Sequence, residues 1–292
     1  THCHMVALKH PVLTSKELEK LRSIDTGIFQ SKTLQTYFRA DGKPDSLEKG
    51  LARLCRYAED AVEDGFEVII LSDRAIDSEH VSIPSLLATS AVHHHLISKG
   101  VRGQVGLVVE AGDVWEVHHF ACLIGFGATA INPYLALATI RNMKTNGSLD
   151  TTLDWEDLRY NYIKSVNDGL LKIFSKMGVS TLQSYQAAQL FEIVGLNSQV
   201  VNKYFTGGVS RIEGLGLEEI AQEALAKHRL AFHQKSLHNN SLPVGGIYQW
   251  KRKGETHLFN PNTIHYLQLA TRQNNYDTFK KYSSLVNQQK SE

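Results

Sequence analysis

The chain has 292 residues, 42% of them hydrophobic and 21% charged, with a formal net charge of +1. That composition excludes a disordered chain, and the near-neutral balance gives no electrostatic case for nucleic acid or an anionic membrane as partner. No apolar run reaches the ~18 residues that a membrane-spanning helix requires.

The opening "THCHMVALKHPVL" has no secretory apolar core and reads as an internal cut of a longer chain or an artificial chain end. A short β-rich run follows at 33–38. "SLEKGLARLCRYAEDAVEDG" (46–65) places Leu47, Leu51, Leu54, Ala58 and Val62 on one stripe. This predicts an amphipathic helix with Ser46 as N-cap and Gly65 as the stop. "FEVIILSD" (66–73) is a continuous apolar run, as in a strand buried on both faces. "IPSLLATSAVHHHLISKG" (83–100) predicts a helix opened by Pro84 and closed by Gly100. "GQVGLVVEAG" (103–112) reads as a second buried strand. Residues 113–127 read as a helix capped by Asp113, and 128–136 as a strand running into a turn.

This alternation predicts an α/β fold of barrel-like repeated βαβ units with parallel strands. Only about five strand–helix units are readable, so the expectation is an incomplete or degenerate TIM-type barrel, with a C-terminal helical appendage. The expected polar strand exits are Ser72 with Asp73, Glu110, Asn132 and Ser184. Chemistry in such folds gathers at these exits.

In "LLKIFSKMGVSTLQSYQAAQLFEIVGL" (170–196), the first part reads as a helix end, "VSTLQSY" as a strand and "QAAQLFEIVG" as a helix. "YFTGGVSRIEGLGLEEIAQEALAKH" then gives a glycine-rich connection and a helix from Leu217. Residues 233–246 are polar, with Pro and Gly, and read as a linker. After them come a hairpin-like pair, a turn and cap at "NPNT", and helices. Ile247, Trp250, Leu258, Ile264, Leu267 and Phe279 offer an apolar face for a partner, which predicts association or low stability for this part.

Candidate chemistry is sparse. Cys3, Cys55 and Cys122 are too few and too widely spaced for a disulfide framework or a zinc set, and point to a reducing compartment. The runs His93–His95 and His118–His119 point adjacent rings ~100° apart, so neither run chelates alone. "FTGGVSRIEG" (205–214) matches no phosphate-loop pattern and reads as an ordered connection, with phosphate binding at Ser210 and Arg211 as the alternative. Asp73 suits either a catalytic carboxylate or a turn residue. Glu110 suits a functional carboxylate or one paired to Arg74 or Arg141.

"LSDRAIDSEHVSIPSLLATSAVHHHLISKGVRGQVGLVVEAGDVWEVHHFACLIGFGATAINPYLALATI" (71–140) resembles the central domain of the glutamate synthase large subunit. The segments from Gly169 and from Tyr204 continue the likeness, and "LPVGGIYQWKRKGETHLFNPNTIHYLQLATRQNNYDTFKKYSSLVNQQ" resembles the start of that family's FMN-binding synthase domain. Trp115 departs from the basic residue expected before "EVHHF".

The resemblance implies residues 1–232 as central domain, 233–246 as linker and 247–292 as the incomplete start of the synthase domain. It implies a parent oxidoreductase that makes glutamate from glutamine and 2-oxoglutarate, carrying FMN and an iron–sulfur cluster elsewhere. This chain would then be inactive in isolation, with no catalytic, cofactor or metal residues of its own. Its partners would be the glutaminase and FMN synthase domains of the same polypeptide. The compartment implied is the cytoplasm, or the plastid stroma in a photosynthetic eukaryote. Ser72, Asn132 and Ser184 are then candidates to line an ammonia tunnel or interdomain wall, with Asp73 and Glu110 buried and paired away from it. The alternative is a free-standing phosphate- or flavin-binding barrel enzyme using Glu110 and the "TGG" turn. A histidine-based metal hydrolase is a third reading.

Overall fold

The computed structural model describes residues 5–24, 27, 29–232 and 244–289. Cys3 and residues 233–243 of the expected linker lie outside the described residues. The chain divides into two units, Thr1–Gln234 and Lys235–Glu292.

Helix α1 (Ser15–Arg22) begins with a reciprocal cap. The Thr14 hydroxyl accepts the Glu17 N–H, and the Glu17 carboxylate accepts the Thr14 N–H. The run expected at 33–38 is two strands, β1 (Ser31–Gln35) and β2 (Tyr37–Arg39). In α2 (Ser46–Glu63) the apolar stripe is buried as its spacing requires. Ser46 is the first helical residue rather than the cap, and its hydroxyl donates to Asp41. There follow β3 (Val68–Ser72), β4 (His80–Ser82), α3 (Ser85–Ser98), β5 (Gly106–Glu110), α4 (Val117–Gly125), β6 (Ala130–Asn132) and α5 (Tyr134–Thr145). Helix α4 starts at Val117, later than expected. Asp113 instead turns its carboxylate to the first N–H of α3, at Ser85 (3.0 Å).

Strands β1, β3, β5 and β6 form one parallel sheet in that order. The segment Pro11–Leu13 runs parallel beside β6, through Ile131 N–H to Pro11 O and Leu13 N–H to Ile131 O, each 2.8 Å. The sheet is open, and no ring of strands closes among the described residues. Strands β2 and β4 form a small antiparallel pair.

Alternation of side chains sorts the sheet into two faces. Leu34, Ile69, Leu71 and Leu107 pack with α2 and α3, and Val109 and Ile131 with α4. Val68, Ile70, Val108 and Ala130 point the other way and meet only Leu13, Leu18 and Leu21 in their cluster. Three helices thus cover one face, while one short helix and its lead-in strand cover the other. A parallel sheet needs both faces covered, so α1 is structural despite its length.

The second half of this unit departs most from expectation. Helix α6 (Trp155–Lys176) packs Ile163, Val166, Leu170 and Phe174 onto the α4 side. The strand expected at 179–185 is a short helix, α7 (Leu182–Tyr185), started by the Thr181 hydroxyl accepting the Ser184 N–H. The helix expected at 186–195 is a loop followed by β7 (Glu192–Leu196). Ala187 and Gln189 sit at φ 57° and 54°, which no α-helix tolerates. Tertiary bonds impose this: the Gln186 amide donates to Gly127 O (2.8 Å), and Ala187 N–H reaches Ile124 O. Next come α8 (Ser198–Tyr204), β8 (Val209–Leu215) and α9 (Leu217–Phe232). The glycine-rich connection thus becomes a strand, parallel to β7.

Ala187 in the left-handed region is strained. Ala187→Gly is expected to stabilise the chain by about 0.5 kcal/mol, the relief of strain less the extra unfolded entropy of glycine. Urea unfolding should show a higher midpoint at unchanged slope; a lower midpoint would show the strain to be fully compensated.

In the second unit, α10 (Pro261–Gln273) is capped by the Asn260 side chain and α11 (Tyr276–Asn287) by Asn275. The expected hairpin is absent among the described residues; bends and a turn, Gly254 N–H to Lys251 O, stand there instead. Ile247, Trp250, Leu258, Ile264 and Phe279 are exposed, and Leu267 is half-buried.

Candidate functional site

The carboxyl end of the parallel sheet carries a polar row. Gln35, Ser72, Glu110 and Asn132 are consecutive register partners across β1, β3, β5 and β6. They share the face covered by α1.

Glu110, 2% exposed, has both carboxylate oxygens engaged. One accepts from Arg22 (2.7 Å) and from the Ser72 hydroxyl (2.7 Å); the other accepts from Arg74 (2.7 Å). Arg22 also donates to the Thr33 hydroxyl (2.7 Å). Arg74 lies over the Tyr134 ring, 4.3 Å from its centre. Arg141, the other partner considered for Glu110, lies over Trp155 instead. Both oxygens of this carboxylate are therefore occupied by the protein's own donors.

Asn132 is fully buried. Its amide donates to Leu13 O (2.8 Å), and its carbonyl oxygen has no hydrogen-bond partner among the described residues. Ser184 is not at a strand exit. It lies exposed in α7 and shares a hydrogen bond with the Thr181 hydroxyl.

Asp73 follows Ser72 and therefore points to the opposite face. One oxygen accepts the Gly112 N–H (2.8 Å) and a bond from Tyr134; the other is buried with no partner among the described residues. Burial, with Asp113 and Glu110 nearby, pushes the carboxyl up to about 6. A Cβ at Gly112 would lie 2.9 Å from the Tyr134 hydroxyl, so only glycine lets the three groups meet.

The histidines engage separate partners. His93 Nδ1 accepts from Arg102 (2.9 Å), and burial together with Arg102 holds its ring neutral, with a pKa of about 3. His95 pairs with Glu59, His118 meets Cys122 Sγ (3.4 Å), and His119 Nδ1 accepts the Trp115 N–H. Among the described residues no group of three or more His, Cys, Asp or Glu is arranged to hold a metal ion. Cys55 and Cys122 lie apart, and burial pushes both thiols up to about 11. They do not fit thiolate ligation of an iron–sulfur cluster.

The "TGG" turn does not form an anion cradle. A Cβ at Gly207 would collide with the Gln189 amide, so that side chain fills the approach. Ser210 donates to Leu196 O (3.0 Å), and Arg211 pairs with Glu192 (3.3 Å). These residues therefore fit neither phosphate nor flavin. Sequence reasoning missed Arg22, Tyr134 and Leu13. Arg22 left a faint signal, as the basic end of an α1 opened by a readable capping box.

No helix among the described residues is long and apolar enough to cross a membrane. A family model described as the glutamate synthase central domain matches residues 1–197. The glutamate synthase [NADPH] large chain of Bacillus subtilis (strain 168) is 42% identical over 285 residues, covering 98% of this chain and 18% of that protein. The ferredoxin-dependent glutamate synthase of Pyropia yezoensis is 39% identical, covering 96% and 19%. This chain thus spans less than a fifth of the length of either relative. Among solved structures, DHODH from Eimeria tenella in complex with ferulenol overlaps at TM-score 0.35 and 16% identity, covering 60% of this chain and 46% of that one.

Proposed function

The chain belongs to the glutamate synthase central-domain family, and from that premise we propose that it is a non-catalytic scaffold within a larger glutamate synthase polypeptide. In this reading residues 1–232 join a glutaminase domain to an FMN synthase domain whose start is residues 247–292, with 233–246 as linker. The whole polypeptide forms glutamate from glutamine and 2-oxoglutarate, with FMN and an iron–sulfur cluster held outside this chain.

The observation that carries the reading is the state of Glu110. It occupies the position where an α/β enzyme would keep a catalytic carboxylate, yet both its oxygens are tied to Arg22, Arg74 and Ser72. The sheet's carboxyl end is thereby a structural joint.

The finer part of the proposal is a contribution to the ammonia path. Small, neutral polar groups suit such a wall, because ammonia beside a free carboxylate would be held as ammonium. Ser72 and Asn132 belong to the buried polar row; Ser184 would serve only at an exposed interdomain surface. In the full-length enzyme, Ser72→Leu and Ser184→Leu are expected to lower glutamine-dependent glutamate formation several-fold while sparing the reaction fed with free ammonia. A parallel fall in both activities, or no change in a folded enzyme, removes these residues from the path.

A further inference from the structure

The polar row is covered by the chain's own N-terminal segment. We propose that residues 11–22 form a latched gate over the carboxyl end of the sheet, held shut by Arg22 on Glu110. When it opens, the gate uncovers the buried members of the row, Ser72, Glu110 and Asn132, to a small polar species.

Three features set the segment apart. Most of its apolar contact is with a small core: Leu13, Leu18 and Leu21 meet Val68, Ile70, Val108 and Ala130 in a cluster separate from the two larger ones, while Val12 alone packs into the cluster on the α4 side. Its backbone meets the sheet at the two edges, at β6 through Pro11 and Leu13 on Ile131 and at β1 through Arg22 O, which accepts from the Ser31 hydroxyl (2.8 Å). Its two ends hold the row directly, since Leu13 O takes the Asn132 amide and Arg22 takes Glu110 and Thr33. One small cluster, Val12 and attachments at the two edges are what opening has to break. Beneath the segment, β1, β3, β5 and β6 pair with one another directly, so opening costs the cover of one face and not the strand pairing.

The uncovered surface is chemically specific. Ser72 and Asn132 present a hydroxyl and an amide, and the unpartnered Asn132 carbonyl oxygen accepts a donor. Glu110 keeps Arg74 when Arg22 leaves, so its charge stays compensated. The row therefore suits a small, neutral hydrogen-bonding molecule of ammonia's class. That assignment rests on the function proposed above; the gate itself does not.

Hydrogen exchange on the whole polypeptide tests the gate, read by mass spectrometry in low denaturant. In the unmodified protein, peptides covering 11–24 should exchange as one unit at least about tenfold faster than those covering 66–73 and 104–111. Arg22→Gln should speed the first group about tenfold further and the others less than about twofold, with Arg22→Lys between. The gate is overturned if residues 11–24 exchange no faster than β3 in the unmodified protein. It is equally overturned if Arg22→Gln speeds all peptides alike. The unmodified measurement decides the matter should the variant fail to fold. Failure of the ammonia-path experiment with a positive exchange result would reject the path and keep the gate.

Discussion

Removing both guanidinium partners of Glu110, by Arg22→Ala with Arg74→Ala, is expected to destabilise the first unit by about 3–5 kcal/mol. The double variant leaves a 2%-exposed carboxylate with only the Ser72 hydroxyl. The arginines are 28% and 52% exposed, so water screens part of each attraction, and the lower end of the range is expected. The penalty arises from the stranded charge rather than from lost packing. Adding Glu110→Gln should therefore recover most of the loss, because the amide keeps a hydrogen-bonding group without the charge. Denaturant unfolding of the three proteins decides the point. A triple variant no more stable than the double would mean that the arginines act through their stems.

Asp73→Asn is expected to act in the opposite direction. Its carboxyl rises from an ordinary value of 3.8 to about 6 in the fold. That difference corresponds to roughly 3 kcal/mol. The folded state therefore binds this proton more tightly than the unfolded state does. Above about pH 6 both states are ionised and the fold carries the whole penalty. As the pH falls from 6 to 3.8 the penalty disappears, and this group makes the protein more stable. The neutral amide of the variant carries no such penalty at any pH. The variant should exceed the parent by up to roughly 3 kcal/mol at about pH 8, less whatever the new amide loses by lacking an acceptor, and should show no advantage near about pH 4. Unfolding free energies at the two values measure the difference. A variant less stable than the parent at the higher pH would show that the carboxylate's bonds to Gly112 and Tyr134 outweigh its desolvation.

The carboxylates illustrate how far sequence reasoning reaches. That Asp73 and Glu110 lie at strand ends was legible from the apolar runs "VIIL" and "LVV" before them. Their different fates were not. The two residues are neighbours in the site, but the pleat sends them to opposite faces, and only one face brings arginine. Arg22 lies 88 residues from Glu110, so no local pattern links them. The same holds for Asp113. Its position before a helix marked it as a cap, and it is one, but for α3 rather than α4.

The loop at 186–191 failed for a related reason. Gln, Ala and Leu are good helix formers, and the composition favours a helix. Hydrogen bonds from Gln186 and Ala187 to the α4–β6 turn override that preference and force two residues into the left-handed region. Propensities of a few tenths of a kcal/mol per residue cannot oppose tertiary bonds worth about 1 kcal/mol each.

By itself, then, the sequence determined the α/β class, the parallel strands at 68–72 and 106–110, the helices between them and the family. Each rests on periodicity or on long motifs, which are local and need no partner. Tertiary structure alone decided that the sheet stays open, that α1 covers its second face, and that Glu110 is held by Arg22 and Arg74. These depend on which distant segment reaches a given face first and fits it. Burial and charge complementarity set that choice in three dimensions, and linear spacing does not encode it.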